Sequence, residues 1–483
     1  MCWRRFHRAA RPRVLGHAMI GFLARWFDAR LHLAKTARRA FDHVFPDHWS
    51  FMFGEIALYS FVLLIITGAF MAMFFDATGA KVSYDGSFKE LVGISVPAAY
   101  RSVLHLSFDV PAGLLVREMH HWAALIFIGA IVAHLARLFF TAAYRRPREI
   151  NWIIGVTLLI LALFNGYFGY SLAGDLLSGS GLRIAYAIVL SIPLIGSWLA
   201  SILFGGVVPT DVTIPRMYMA HIFVIPAMLA ALVALHLGII WRQKHTNYPG
   251  PGRTDETIVG SRLWPTYTAK SLGLCFLVFG FIAALGGLVQ INPVWIYGPD
   301  NPTAILPGAQ PDWYLGWIEG ALRLFPGVNL RIAGGLVPEI FFPGVLLPLF
   351  VFALLYAYPF IEKAFISVDD KPHNVLRLPY EQPFNTAFGC AAFICLLVLF
   401  FAGSDDVIAV ALGASVVTIR EILRILFFVA PAVTAVVVYA GCSMWQRRSE
   451  SHRHLRSLAR PEFLAVTGDP KMKDSAARTT LPG

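Results

Sequence analysis

Four histidines carry the most specific chemistry in this chain. His120 and His134 lie fourteen residues apart on one apolar stretch, and His221 and His236 lie fifteen apart on another. At about 3.6 residues per turn both intervals return to roughly one helix face, with the two rings of each helix about 21–23 Å apart along its axis. Imidazole is an axial ligand for haem iron. Two such helices facing each other would pair His120 with His221 and His134 with His236, giving two bis-imidazole sites at different depths. A single intramembrane histidine more often lines a cavity or bonds a neighbouring backbone, but four in register exceed that explanation. His121 is turned about 100° from His120, falls off the stripe, and reads as a supporting or packing residue.

Two further residue types fit the same reading. A porphyrin needs room between helices, and glycine supplies it. Gly54 and Gly68 on one apolar stretch, and Gly155 and Gly169 on another, repeat the fourteen-residue interval. Haem propionates need cations near the interface, and Arg117, Arg137 and Arg216 each stand within about a turn of a candidate ligand; snorkelling to lipid phosphate is the alternative for each taken singly.

The elements that must position these groups are membrane helices. With 57% hydrophobic and 14% charged residues over 483 positions, the chain is too apolar for an ordinary soluble domain. Eight spans are expected, at 51–75, 116–140, 151–172, 217–241, 271–290, 338–360, 384–402 and 420–445, each long enough for a hydrocarbon core of about 30 Å. The apolar stretch 182–206, punctuated by Pro193, Gly196 and Pro209, reads as a hairpin lying on the membrane. Residues 16–45 read as an amphipathic surface helix, and segment 1–49 shows no cleavable signal pattern.

Lysine and arginine number twenty-nine in segment 1–49, the loops after spans two, four and six and the tail, against seven in the opposite loops. The positive-inside rule then puts both termini in the cytoplasm, His120 and His221 toward the outside, and His134 and His236 toward the inside. The net charge of +11 is accounted for by this topology and by lipid contact, not by nucleic-acid binding. Cys2, Cys275, Cys390, Cys395 and Cys442 form no haem-attachment or zinc motif, so haem here would be noncovalent, and the cysteines read as buried small hydrophobes. The expected fold class is an all-α integral membrane protein. Its parts are a cytoplasmic segment 1–49, a four-helix di-haem bundle 50–245, a C-terminal four-helix portion 246–445 and a cytoplasmic tail 446–483.

The runs Arg117-Glu-Met-His-His-Trp, Arg145-Arg-Pro-Arg, Gly169-Tyr-Ser-Leu and Pro215-Arg-Met-Tyr-Met-Ala-His resemble the cytochrome b subunit of quinol:cytochrome c oxidoreductases, over about residues 45–445. Asp175-Leu-Leu-Ser-Gly-Ser-Gly, Gln243-Lys-His-Thr-Asn-Tyr-Pro-Gly and Gln310-Pro-Asp-Trp-Tyr look most like the actinobacterial menaquinol-oxidising form. The resemblance implies two noncovalent b-type haems, outer on His120 and His221 and inner on His134 and His236. It also implies bifurcated oxidation of quinol at an outer site, quinone reduction at an inner site, and proton translocation. The partners it implies are a Rieske-type iron–sulfur protein and a c-type, di-haem cytochrome c, in a dimeric complex that can join a terminal oxidase in the cell membrane.

In this family a Pro-Glu-Trp-Tyr loop marks the outer quinol site, and here it reads Pro311-Asp312-Trp313-Tyr314. The resemblance makes Asp312 the proton acceptor for quinol, with Asp175 and Glu319 as further outer carboxylates and Tyr314 and Tyr170 as groups that could orient the ring. Taken alone, Asp175 reads as a helix cap. Many relatives follow a lysine at the start of the fifth span with an acidic residue; here the pair is Lys270-Ser271, leaving His245, Tyr267 and Lys270 as inner quinone contacts or lipid-headgroup contacts. Two other readings stand beside this one. A di-haem anchor of another quinone-linked dehydrogenase would have no use for the Asp312 loop, and a proton-coupled transporter would leave the glycine intervals unexplained.

Overall fold

A computed structural model describes residues 22, 25–208, 210–304, 306, 308, 310–332, 335–365 and 371–458. Within them lie eight helices long and apolar enough to cross a membrane: Trp49–Ala72, Gly113–Phe140, Glu149–Ser171, Thr213–Gln243, Leu263–Leu288, Phe342–Phe365, Pro383–Ala402 and Val416–Ser451. A helix satisfies its own backbone groups where water cannot, which is why these apolar runs take that form. The chain is a mostly helical membrane protein, with eight candidate spans among the described residues. The sixth begins later than expected because Leu330–Ile332 and Gly335–Val337 form a hairpin that keeps the chain extended up to Pro338. The last helix runs on to Leu458, well past its apolar stretch, since helix propensity does not stop at the interface.

The first span packs along the second, the third along the fourth, and the fifth against the first and second. Phe61, Phe127, Ile128, Leu158, Ala162, Ile225 and Leu229, one layer from four helices, fill the space between the two histidine depths. The sixth span packs on the third, and the seventh and eighth lie side by side. Outward faces are apolar and exposed, as at Phe276, Leu277 and Phe428, which suits lipid contact.

Two surface segments differ from expectation. The 182–206 stretch is a helical hairpin, Leu176–Leu190 and Gly196–Phe204, ended by Gly205 and Gly206 at φ +79° and +141°. One face of it is buried, with Leu182, Ala200 and Phe204 packed with Ala99, Ile214 and Met217, while Trp198 stays exposed. Pro209 lies outside the described residues. The helix expected over 16–45 is described only in part and is not continuous. His32, at φ 50°, interrupts it before Leu33–Phe41, and Val44–Phe45 pairs antiparallel with Ser261–Arg262. Cys275, Cys390, Cys395 and Cys442 are free and half-buried, where full burial was expected; Cys275 lies near Tyr59 of the first span and Cys390 near Cys442 of the eighth, at seams that stay partly accessible. Cys2 and the tail beyond 458 lie outside the described residues.

Candidate functional site

Because neighbouring spans alternate in direction, the second and fourth run parallel, and their four histidines meet as two pairs. His120 and His221 have ring centroids 6.1 Å apart with planes at 74°, and His134 and His236 have centroids 6.5 Å apart at 72°. Two bonds of about 2 Å from one metal to imidazole nitrogens, each about 1 Å from its ring centre, put two axial rings about 6 Å apart, so both spacings fit an iron between them. His120 Nδ1 is held 2.9 Å from Thr67 Oγ1 and His221 Nδ1 2.9 Å from the Asn165 carbonyl, which orients both rings and leaves Nε2 for a ligand. The described residues contain no cluster of three or more His, Cys, Asp or Glu side chains that could hold a bare metal ion.

Each of the four glycines faces one histidine. A Cβ at Gly68 would lie 3.2 Å from His120 Cε1, at Gly169 2.5 Å from His221 Cε1, at Gly54 3.2 Å from His134 Cε1 and at Gly155 3.9 Å from His236 Cε1. The glycines therefore admit the imidazole edges of the candidate ligands.

Beside the first pair lies a cavity of about 480 Å³ that also reaches Asp312, Tyr314, Tyr170, Asp175 and Arg117. Asp312 precedes the short turn Trp313–Leu315 and projects into it from the loop after the fifth span. His121 Nε2 lies 2.9 Å from Asp312 Oδ1, the buried Tyr314 hydroxyl donates to Oδ2 at 3.2 Å, and Asn292 Nδ2 reaches Oδ1 at 3.4 Å. His121 thus faces the quinol-site candidate instead of merely packing. Its partner is 191 positions away, so no local pattern signals it. Burial beside Asp312 pushes the Tyr314 phenol well above its ordinary value, so it keeps its proton and acts as a donor.

Glu118, invisible to the histidine pattern, builds this corner. Fully buried, it accepts from Arg117 Nη1 at 2.7 Å and from the Ile291 amide at 2.9 Å; Arg117 Nη2 donates to the Asn292 carbonyl and Trp122 Nε1 to that of Val289. These bonds fasten segment 289–292 to the second span and aim Asn292 at Asp312. The helix Gly316–Leu324 fixes the other side of the loop by lying against the seventh span, where a Cβ at Gly320 would fall 1.7 Å from the Leu399 carbonyl.

Other candidates are used differently. Asp175 lines the cavity and also caps the helix Leu176–Leu190, accepting from the Ser178 amide at 3.1 Å. Burial raises its pKa, while the Ser178 bonds and Arg117 pull it down. Tyr170 lines the cavity but gives its hydroxyl to the Leu177 carbonyl at 3.1 Å. Glu319 does not reach the cavity: it pairs with Arg323 one turn on, which also binds Asp405 and Asp406. Arg216 does not reach it either, because its guanidinium donates to the Ser201 and Ile202 carbonyls at the end of the surface hairpin.

At the second pair, Arg137 stacks 4.5 Å over Phe51, and its buried Nε and Nη1 have no hydrogen-bond partner among the described residues. An unsatisfied buried guanidinium beside His134 and His236 suits an anionic group such as a haem propionate. His245 lines the same 70 Å³ cavity, whereas Lys270 is exposed and pairs with Asp47 at 2.9 Å. Arg148, from the Arg-Pro-Arg run, is structural: it binds the Lys244 and His373 carbonyls and Asn374 Oδ1, tying three loops together.

A family profile described as Cytochrome b(N-terminal)/b6/petB matches residues 125–299. Proteins named cytochrome bc1 complex cytochrome b subunit are similar to this chain over most of its length. That of Mycobacterium tuberculosis is 46% identical over 425 residues, covering 88% of this chain and 77% of the relative. The Corynebacterium efficiens protein is 44% identical over 420 residues, with 87% and 77% covered. For Streptomyces coelicolor the identity is 42% over 429 residues, with 89% and 78% covered. A solved chain from a hyperthermophilic respiratory Complex III shares the fold at a TM-score of 0.62 and 21% identity, covering 86% of this chain and 99% of that one. With paired histidines on facing spans and this identity over most of its length, the chain belongs to the cytochrome b family, among the cytochrome b subunits of bc1-type respiratory complexes.

Proposed function

We propose that this chain is the membrane subunit of a menaquinol:cytochrome c oxidoreductase that oxidises quinol beside the first histidine pair and returns an electron across the membrane to quinone beside the second. The observation that carries the reading is the Asp312 carboxylate, held by His121 and Tyr314 in the same cavity as His120 and His221. His120 with His221, and His134 with His236, would be the axial ligands of two noncovalent b haems, with Gly54, Gly68, Gly155 and Gly169 admitting their rings and Arg137 facing a propionate. Bound there, the haems would supply an electron path between the two faces. Quinol gives up two protons with its two electrons. Asp312 is placed to accept one of them from a quinol hydroxyl, and Tyr314, which holds its own proton, keeps the carboxylate oriented. Asp175 is a buried second carboxylate on the same wall.

In this reading the other electron leaves to a partner. A Rieske-type protein and a di-haem cytochrome c are the partners in this reading, in a dimeric complex open to a terminal oxidase. In this reading both termini lie in the cytoplasm of a cell-membrane protein, a sidedness that the excess of basic loops supports. His245 and Tyr267 belong to the inner quinone region, while Arg216 and Glu319 serve packing. The test is Asp312→Asn in the assembled complex. Quinol:cytochrome c reductase turnover should fall about a hundredfold to ten-thousandfold with normal haem spectra. Near-normal turnover would remove Asp312 from the proton-accepting role.

A further inference from the structure

A carboxylate between the first and fifth spans is used by neither histidine pair nor by the cavity beside the first. Glu55 stands in the first turn of the first span, next to Gly54, which abuts His134. Its carboxylate is held by hydroxyls: Ser271 Oγ donates at 2.6 Å, Tyr59 at 3.4 Å, and Tyr267 to the other oxygen, while the Tyr59 and Ser271 hydroxyls also bond each other. A purely structural carboxylate at this depth would be expected to face a cation, because hydroxyls solvate its charge without cancelling it. The nearby cation, Lys270, turns away to Asp47.

This cluster connects in two directions. Toward solvent, Lys270, the chain neighbour of Ser271, and Asp47 are exposed and share Ser261. Toward the second pair, Tyr267 stacks on Phe45 at 4.3 Å, and Phe45 packs at 4.5 Å on His245, which lines the cavity holding His134 and His236. The carboxylate and its hydroxyls therefore lie between exposed polar groups, one of them the chain neighbour of Ser271, and a glycine in contact with His134.

We infer that Glu55 is the carboxyl group that hands protons to the quinone reduced at the His134–His236 end. The inference rests on the functional reading above. One quinone takes two electrons and two protons, and each carbonyl oxygen gains an O–H bond; Glu55 gives a proton from its carboxyl and regains one from water through the Ser271, Tyr267 and Tyr59 hydroxyls. The groups facing it are Tyr59 on its own helix and Tyr267 and Ser271 on the fifth, with Cys275 beside Tyr59 and Asp47 and Lys270 beyond.

The test uses the assembled complex with Glu55→Gln and Glu55→Asp. After chemical reduction of the haems and with the outer site inhibited, haem reoxidation by a soluble menaquinone analogue is followed from pH 6 to 9 (about the workable range). The glutamine variant should reoxidise about a hundredfold more slowly, and the aspartate variant should recover most of the rate. Redox-induced infrared difference spectra should show a carboxyl C=O band, sensitive to deuterium exchange, that Glu55→Gln abolishes. If Glu55→Gln fails to assemble, Tyr267→Phe with Ser271→Ala keeps the carboxylate, cuts its hydroxyl path, and should slow reoxidation likewise. Unchanged rates with the carboxyl band retained would overturn the inference. A wild type that holds both haems yet passes no electrons to the analogue would overturn the functional reading, and this inference with it.

Discussion

His120 and His121 are neighbours with separate duties. One ring faces His221 across the bundle; the other, turned about 100° round the helix, holds Asp312 at 2.9 Å. Their difference is set by helix geometry alone, and it predicts separable effects. His121→Phe keeps an aromatic ring but removes a hydrogen bond to a carboxylate, worth about 1.5–3 kcal/mol. Turnover should fall roughly tenfold to a hundredfold, with the visible haem spectrum unchanged. Unchanged turnover would mean that Tyr314 and Asn292 orient Asp312 without it. Asp312 itself was legible because its four-residue loop is distinctive; His121, Glu118 and Glu55 were not, because their partners lie on other elements, 170 to 220 positions away for the bonds of Glu118 to Ile291 and of Glu55 to Ser271.

At the scale of elements, the equal glycine intervals were readable as a pattern, but the contacts they make were not. Spacing treats the four glycines as equivalent, whereas packing ranks them. A Cβ at Gly169 would fall 2.5 Å from the His221 ring and one at Gly155 3.9 Å from His236. Gly169→Ala must displace His221 and should lose the haem of that pair, while Gly155→Ala fits within ordinary contact and should keep both haems. Haem-to-protein ratios and reduced spectra of the two purified variants check this; equal haem content would contradict it. Arg216 shows the limit of spacing arguments in the other direction. It stands five residues from His221, yet the carbonyls ending the surface hairpin claim its guanidinium, and the packing of that hairpin has no sequence signature.

For the molecule as a whole, apolar runs, basic loops and helical spacing made the eight spans legible, since bilayer thickness and backbone hydrogen bonding leave little choice. The joints between loops were not. Arg148 and Asn374 tie loops 225 or so residues apart, with the 244–247 segment between them. His245 sits in this joint, and burial, with His43 and Arg148 nearby, lowers its pKa from 6.5 to about 4. The folded state therefore favours the neutral ring, so its contribution is fully present above about pH 6.5 and is lost as pH falls from there toward 4. The thermal midpoint of the purified complex should drop across that window, and less so in His245→Gln; the same pH dependence in both would contradict the assignment.

In the proposed reading, two histidine pairs build two independent haem sites. Redox titration of the b-haem absorbance in the wild type and in the four single alanine variants at 120, 134, 221 and 236 tests it most directly. The wild type should titrate as two components, with His120→Ala and His221→Ala losing the same one and His134→Ala and His236→Ala losing the other. A single component in the wild type, or loss of both components in a correctly inserted single variant, would contradict it.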